Sequence, residues 1–275
     1  MRCAYCPHRF RRGRHRAVSC YDPSFRAQCL RLQLITLHTF GPRLGMPDAS
    51  PFVIKALVLL KMSGLPFKAD PSGLRKAPKG KLPYIDDDGT IIGDSTFIRF
   101  HLEQRYGVDF DKQLTPQQRG LGWAFEKMCE DHLYWAIVDA RWMDDANFDR
   151  GPRSFFDASP AFIRPIVINR IRASVRRTLR GQGFGRHSRA EIEMLAARDL
   201  DAIAAQLADQ PFLLGAEPHA TDATVFAFVA SALCAHFETP IIASARSHQN
   251  LVAYRDRGMA RWFPEMSSGG SAAKV

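Results

Sequence analysis

The chain has 275 residues, of which 46% are hydrophobic and 24% are charged, and these proportions are typical of a folded protein with a buried core. Its 19 Phe, 4 Trp and 6 Tyr exclude a chain that is disordered throughout. The formal net charge of +10 would favour a nucleic-acid or acidic-membrane partner if the charge were spread over the whole surface.

The positive charge is instead concentrated in two stretches. Residues 1–33 contain eight Arg and one acid, and residues 158–190 contain eight Arg and no acid. These stretches contribute +7 and +8 to the total of +10, which leaves −5 for the remaining residues. For the second stretch we expect a solvated basic face and no nucleic-acid partner, because its Arg-rich end has a single aromatic residue, Phe184, for stacking on bases.

Within the first stretch, residues 1–32 are predicted to be a disordered basic leader. Its four cysteines are Cys3, Cys6, Cys20 and Cys29. The first two have the spacing of half a zinc site, but the other two are too far apart to complete it, so we expect no metal. An Arg-rich targeting segment is the other alternative. With two cysteines in the remainder, a reducing, cytoplasmic location is expected, and the longest apolar stretch, 223–235, is too short for a transmembrane segment.

After the leader, strand and helix patterns alternate. In chain order they predict a strand (33–40), a helix (52–62), a short strand (66–69), a hairpin (81–86 and 90–92) and a helix (96–106). The residues at the element boundaries support these assignments, since Ser50-Pro51 is typical of a helix start and Asp88-Gly89 of a hairpin turn. The result is a β-α-β unit followed by a β-β-α unit.

Beyond about residue 110 only helical spacing remains. It predicts helices at 117–142, 189–207, 223–235 and 250–262, with a loop at 151–165. Strands in the first part and helices in the second indicate an α+β domain over 33–108, an all-α domain over 109–265 and a disordered tail over 266–275.

Three short motifs in the first domain could bind a peptide-like ligand. At Ser50, helix N–H groups would favour an anion or lower the pKa of a hydroxyl, unless the serine is only a helix cap. Leu82-Pro83 is an edge-strand proline or a cis peptide bond, and a cis bond would turn the Leu82 backbone outward to pair with an extended ligand. Asp94 and Ser95 either cap the next helix or hold the ammonium and carboxylate of an α-amino acid.

The helical domain offers a candidate pocket. Its aromatic residues Tyr134, Trp135 and Trp142 either line a substrate pocket or pack in a core or subunit contact.

The order of these motifs resembles the glutathione transferases. Residues 34–107 resemble their thioredoxin-like N-terminal domain, and the rest, to about residue 265, resembles their helical C-terminal domain. The segments SPFVIKALVLLKMSGLPF, APKGKLPYIDDDG, GDSTFI, ATDATVFAF and SHQNLVAYRDRGMARWFPE are most similar to the branch related to failed axon connections protein and the metaxins. Many transferases have Ser or Thr three residues before the Asp that corresponds to Asp222; because His219 stands there, we expect Thr221 to cap the helix and Asp222 to be structural.

The resemblance implies glutathione as co-substrate and a role for each motif. Ser50 would face the glutathione sulfur, Leu82 before cis-Pro83 would pair with the cysteinyl part, and Asp94 with Ser95 would hold the γ-glutamyl head. A small-molecule electrophile would be held by the helical domain, and a homodimer is expected. The metaxin branch implies the alternative, a non-catalytic interaction or import-associated protein.

Overall fold

Four short strands form one mixed sheet. The computed structural model of the protein describes residues 34–267. The strands are β1 (Ile35–His38), β2 (Phe67–Asp70), β3 (Tyr84–Asp87) and β4 (Thr90–Gly93). Their order is β2-β1-β3-β4, with β1 parallel to β2, and with β3 antiparallel to both β1 and β4. The predicted strands and the hairpin are confirmed, with the first strand shorter than predicted.

Two helices accompany the sheet, α1 (Pro51–Ser63) between β1 and β2, and α2 (Ser95–Tyr106) after β4. Each ends at a glycine with a positive φ, 69° at Gly64 and 68° at Gly107. A residue with a Cβ rarely adopts this left-handed conformation, so both glycines end their helices efficiently. The predicted β-α-β and β-β-α order is confirmed.

The rest of the described chain is helical. Its helices are α3 (Pro116–Met128), α4 (Tyr134–Trp142), α5 (Asp145–Arg150), α6 (Arg164–Gln182), α7 (Arg189–Leu207), α8 (Ala220–Ala232), α9 (Pro240–Ser247), α10 (Gln249–Trp262) and α11 (Pro264–Ser267). A π-helical turn, Cys129–Leu133, joins α3 to α4 where one continuous helix was predicted. The fold class, an α+β thioredoxin-like part followed by an all-α part, is confirmed.

Helix α6 was missing from the sequence prediction. Its inner face consists of Ile168, Arg172, Val175 and Leu179, which have helical spacing but are interrupted by an arginine. An arginine can bury its aliphatic stem while its guanidinium reaches Asp145, at 2.6 Å. Helices α5 and α9 were also not predicted.

The core is built around α1 and α8, which pack against each other. All 13 residues of α8 are buried. Asp222 in its first turn accepts hydrogen bonds from the His219 and Leu213 N–H groups, each at 2.9 Å, and from the Tyr254 hydroxyl at 2.8 Å. This confirms a structural role for Asp222. The prediction that Thr221 caps the helix is wrong, since it lies inside α8 and His219 is the N-cap.

Some predictions lie outside the described residues: the leader 1–32 with its cysteines, and the tail beyond residue 267. Helix α11 includes the first two residues of that predicted tail, and the domain boundary at 108/109 stays a prediction. Every helix within residues 34–267 is too short or too polar to cross a bilayer. The same part of the chain holds no group of three or more His, Cys, Asp or Glu side chains placed to bind a metal ion.

Candidate functional site

A cavity of about 1080 Å³ lies between the sheet with its two helices and the helical part of the chain. Its wall contains all five residues predicted for the site: Ser50, Leu82, Pro83, Asp94 and Ser95. The segment before β3 and the start of α2 contribute the polar residues Lys81, Asp94 and Ser95 to this wall. The part of the wall formed by α4 and the loop after α5, here called the aromatic end, contains Tyr134, Trp135, Trp142, Phe155 and Phe156.

Ser50 lies at the start of α1 in an extended conformation, with φ −101° and ψ 124°. It occupies the N-cap position, but its side chain makes no capping hydrogen bond. The hydroxyl of a residue that only caps a helix would accept from the backbone N–H groups of the first turn. The Ser50 hydroxyl is therefore free to bind a group in the cavity, beside the positive end of the α1 dipole.

The loop before Ser50 is held by Asp48, a residue that sequence reasoning missed. Its side chain is fully buried and accepts the Ser50 N–H at 2.9 Å and the Phe40 N–H at 2.8 Å. Burial raises the pKa of the Asp48 carboxyl to about 7, although the backbone N–H groups around it act in the opposite direction. The signal was present in the sequence, since an Asp two residues before a Ser is typical of a turn in which the carboxylate binds the backbone.

The Leu82–Pro83 peptide bond is cis. The Pro83 carbonyl accepts the Asp94 N–H at 3.1 Å, which joins this segment to the start of α2. Within residues 34–267, the backbone N–H and C=O of Leu82 have no hydrogen-bond partner. Leu82 therefore contributes one free donor and one free acceptor to the cavity wall, the pair that an extended peptide backbone uses.

Asp94 and Ser95 both lie at the start of α2, but their side chains have different contacts. One Asp94 carboxylate oxygen accepts the Thr96 N–H at 3.0 Å, and the other lies 3.7 Å from the Lys81 ammonium. The Asp94 backbone has φ 90°, in the positive range that L residues rarely adopt. Asp94 is thus the helix cap and still presents a carboxylate to the cavity.

The Ser95 side chain, unlike that of Asp94, forms no hydrogen bond within residues 34–267. Its side chain is 1% exposed, and its hydroxyl has no hydrogen-bond partner among the described residues. An unpaired buried hydroxyl costs about 1–3 kcal/mol. A ligand that enters the cavity and accepts this hydrogen bond would remove that cost.

The aromatic end of the cavity contains the three residues of the predicted pocket, Tyr134, Trp135 and Trp142. The Tyr134 ring packs edge-on against Phe52 of α1, with 4.9 Å between the ring centroids. The residues line the cavity, as the pocket alternative predicts, and Tyr134 and Trp135 also pack against the core, as the other alternative predicts. The contact with Phe52 places this end close to the start of α1. An aromatic wall of this kind suits the apolar part of a ligand.

Beneath the cavity runs a network of buried charges that sequence reasoning missed. Lys55 is fully buried, and its ammonium lies 3.0 Å from Glu126 and 2.6 Å from Glu130. Arg99 also binds Glu126, at 2.9 Å, and Glu130 is paired with Lys127 at the cavity wall. The network therefore ties α1 and α2 to α3 and the π-helical turn. A lysine within the apolar run of α1 was the one available signal.

Comparisons with known proteins now bear on the site. The family model of the glutathione S-transferase N-terminal domain matches residues 51–147, and that of the C-terminal domain matches residues 196–258. The isoprene-epoxide–glutathione S-transferase of Rhodococcus sp. (strain AD45) is 36% identical over 202 residues, which are 70% of this chain and 84% of that protein. The chain belongs to the glutathione S-transferase family.

Other relatives of this glutathione S-transferase family member lie in the branch that the motifs resembled. Failed axon connections of Drosophila melanogaster is 28% identical over 84% of this chain, which spans 59% of that protein. Metaxin-3 of Xenopus laevis is 24% identical over 87% of this chain and 80% of its own length. The predicted resemblance is confirmed.

Solved structures agree on the fold. The β-etherase LigF of Sphingobium sp. strain SYK-6 superposes with a TM-score of 0.60 and 19% identity, over 85% of this chain and 98% of that one. A glutathione S-transferase of Methylobacterium radiotolerans in complex with glutathione sulfonate has a TM-score of 0.57 and 17% identity, over 88% of this chain and 98% of that one. At these identities the similarity concerns the fold.

Proposed function

We propose that the protein binds glutathione in this cavity and transfers its thiol to a small electrophile, or exchanges it with one. The observation that carries the proposal is the buried Ser95 hydroxyl, which has no hydrogen-bond partner within residues 34–267 and lies beside the Asp94 carboxylate at the start of α2. The γ-glutamyl head of glutathione has an ammonium and a carboxylate on one carbon. Asp94 would bind the ammonium, while Ser95 and the first N–H groups of α2 would bind the carboxylate.

Leu82 and Ser50 would bind the rest of the glutathione tripeptide. The free N–H and C=O of Leu82 would pair with the cysteinyl backbone, and the sulfur would face Ser50. A hydrogen bond from the Ser50 hydroxyl would stabilise the thiolate, which lowers the pKa of the thiol and raises the concentration of the nucleophile at neutral pH.

In the transfer step the thiolate attacks an electrophilic carbon. The new C–S bond forms as the bond to the leaving group breaks; where that bond belongs to an epoxide, its oxygen takes a proton from water. The aromatic end of the cavity would hold the electrophile, and the relative that acts on isoprene epoxide makes epoxides the first class to assay. The proposal also includes a homodimer, which the family resemblance implies, and a cytoplasmic location, which the cysteine content led us to expect.

Titration calorimetry with glutathione tests the binding site. Ser95→Ala should weaken binding about tenfold, because a hydrogen bond to a charged group is lost. Ser174→Ala is the matched control, since Ser174 is an exposed serine of α6 that does not line the cavity. Equal affinities of Ser95→Ala and the wild type would contradict the assignment.

A non-catalytic binding protein is the second candidate, and the similarity to failed axon connections and the metaxins favours it. Ser50→Ala separates the two candidates. A transferase with this variant should still bind glutathione but conjugate a panel of epoxides and other electrophiles far more slowly. A binding protein would show glutathione binding and no conjugation above the uncatalysed rate, with or without Ser50.

A further inference from the structure

Arg141 is a buried cation in the wall of the cavity. It lies near the end of α4, is 9% exposed, and lines the aromatic end. Its guanidinium donates to the Ser231 carbonyl at 2.8 Å and to the Ala49 carbonyl at 3.4 Å, and it stacks on the Phe237 ring at 4.7 Å from the centroid.

Arg141 differs from the other buried cations because no carboxylate of residues 34–267 lies beside it. The other strongly buried cations in residues 34–267, Lys55 and Arg99, each bind two or more carboxylates. In the same part of the chain Arg141 forms no ion pair, and its polar contacts are neutral carbonyls. A buried charge is costly unless an opposite charge compensates it, and two hydrogen bonds leave most of the five guanidinium N–H donors free.

The residues around Arg141 indicate which ligand would carry the compensating anion. Ala49 precedes Ser50, so the guanidinium lies next to the residue that faces the sulfur in the proposed complex. Tyr134, Trp135 and Trp142 line the same end of the cavity. The anion would therefore belong to the second substrate, on an apolar body close to the reacting carbon.

We propose that Arg141 binds a carboxylate of the electrophilic substrate, so that the protein prefers acidic electrophiles over neutral ones of the same shape. This inference rests on the proposed function, since it concerns the substrate that meets glutathione. The planar guanidinium fork matches a carboxylate with two parallel hydrogen bonds, which an ammonium cannot reproduce.

The other cations of the cavity wall are poorer candidates. Lys81 lies beside Asp94 and Lys127 beside Glu130, so their charges already have partners. Arg43 is exposed and stacks on the Phe155 ring, and water therefore screens its charge.

Two stable product analogues test the inference without turnover. S-(4-carboxybenzyl)glutathione and S-(4-carbamoylbenzyl)glutathione have nearly the same shape and differ in one charge. By calorimetry the wild type should bind the carboxylate about 10- to 100-fold more tightly than the amide. Arg141→Gln should remove this preference, because its amide can still donate to the backbone carbonyls but carries no charge. The control Arg43→Gln should keep the preference.

The outcomes separate this inference from the proposed function. Equal affinity of the wild type for both conjugates, with glutathione itself bound, would overturn the role of Arg141 and leave the glutathione site intact. Failure of glutathione and both conjugates to bind would overturn the proposed function and the inference with it. If Arg141→Gln lowered both affinities by the same factor, Arg141 would hold the Ala49 loop and nothing more. Equal wild-type affinities would refute the inference even if that variant did not fold.

Discussion

Replacing Asp48 with Asn would remove a buried carboxyl group whose ionisation opposes folding. Burial raises its pKa from 3.8 to about 7 in the folded protein. The folded state therefore binds the proton more tightly than the unfolded state, and the resulting stability is present below about pH 4 and is lost as the pH rises to about 7. A difference of about 3 pKa units corresponds to about 4 kcal/mol.

The variant lacks this dependence but has a constant cost. The Asn side chain has one acceptor oxygen, which can bind the N–H of either Ser50 or Phe40. Its NH₂ group then faces the second of these N–H groups, which loses its acceptor at a cost of about 1–3 kcal/mol. Urea unfolding of both proteins should therefore show Asp48→Asn less stable than the wild type near pH 4, and of equal or higher stability near pH 8. The difference in the free energy of unfolding between the two proteins removes the contributions of all other titrating groups. If this difference in unfolding free energy stayed constant from pH 4 to pH 8, Asp48 would not have the raised pKa on which the prediction depends.

Two further changes test the packing that supports the site. Lys55→Met removes the ammonium that Glu126 and Glu130 share, and leaves these buried carboxylates with Arg99 and Lys127 as their remaining cations. Urea unfolding should show a loss of unfolding free energy of up to about 3–5 kcal/mol, part of which Glu126→Gln in the same chain restores. A loss below about 1 kcal/mol would contradict the role of the network. Gly258→Ala places a Cβ about 2.3 Å from the Phe226 ring and should cost about 1–3 kcal/mol in the same assay. Gly181→Ala, where the Cβ meets open space, should be neutral or stabilising; equal effects of the two alanines would show that Gly258 is not tightly packed.

Most of the sheet and its two helices could be predicted because their signals are local. A proline at the first helical position, a glycine where the chain turns left-handed, and an Asp-Gly hairpin turn each act within a few residues. Gly64 and Gly107 end their helices where the sequence indicated. The residues of the site could be chosen because they stand at such boundaries, where backbone groups are free.

The parts that escaped prediction depend on distant contacts. Lys55 and Glu126 are 71 positions apart, and no spacing rule connects them. In the part of the chain that the structure describes, the lack of a partner for the Ser95 hydroxyl and of a carboxylate beside Arg141 depends on how distant segments pack. Helix α6 was missed because an arginine stands on its inner face, which breaks the apolar pattern although the side chain packs inward.

A crystal structure of the protein grown with saturating glutathione would show whether this cavity holds glutathione along one defined path. We expect electron density for the γ-glutamyl carboxylate at the Ser95 hydroxyl, for the cysteinyl backbone beside Leu82, and for the sulfur within hydrogen-bond distance of Ser50. Density for glutathione at another place, or an empty cavity in such crystals, would show that the proposed binding site is wrong.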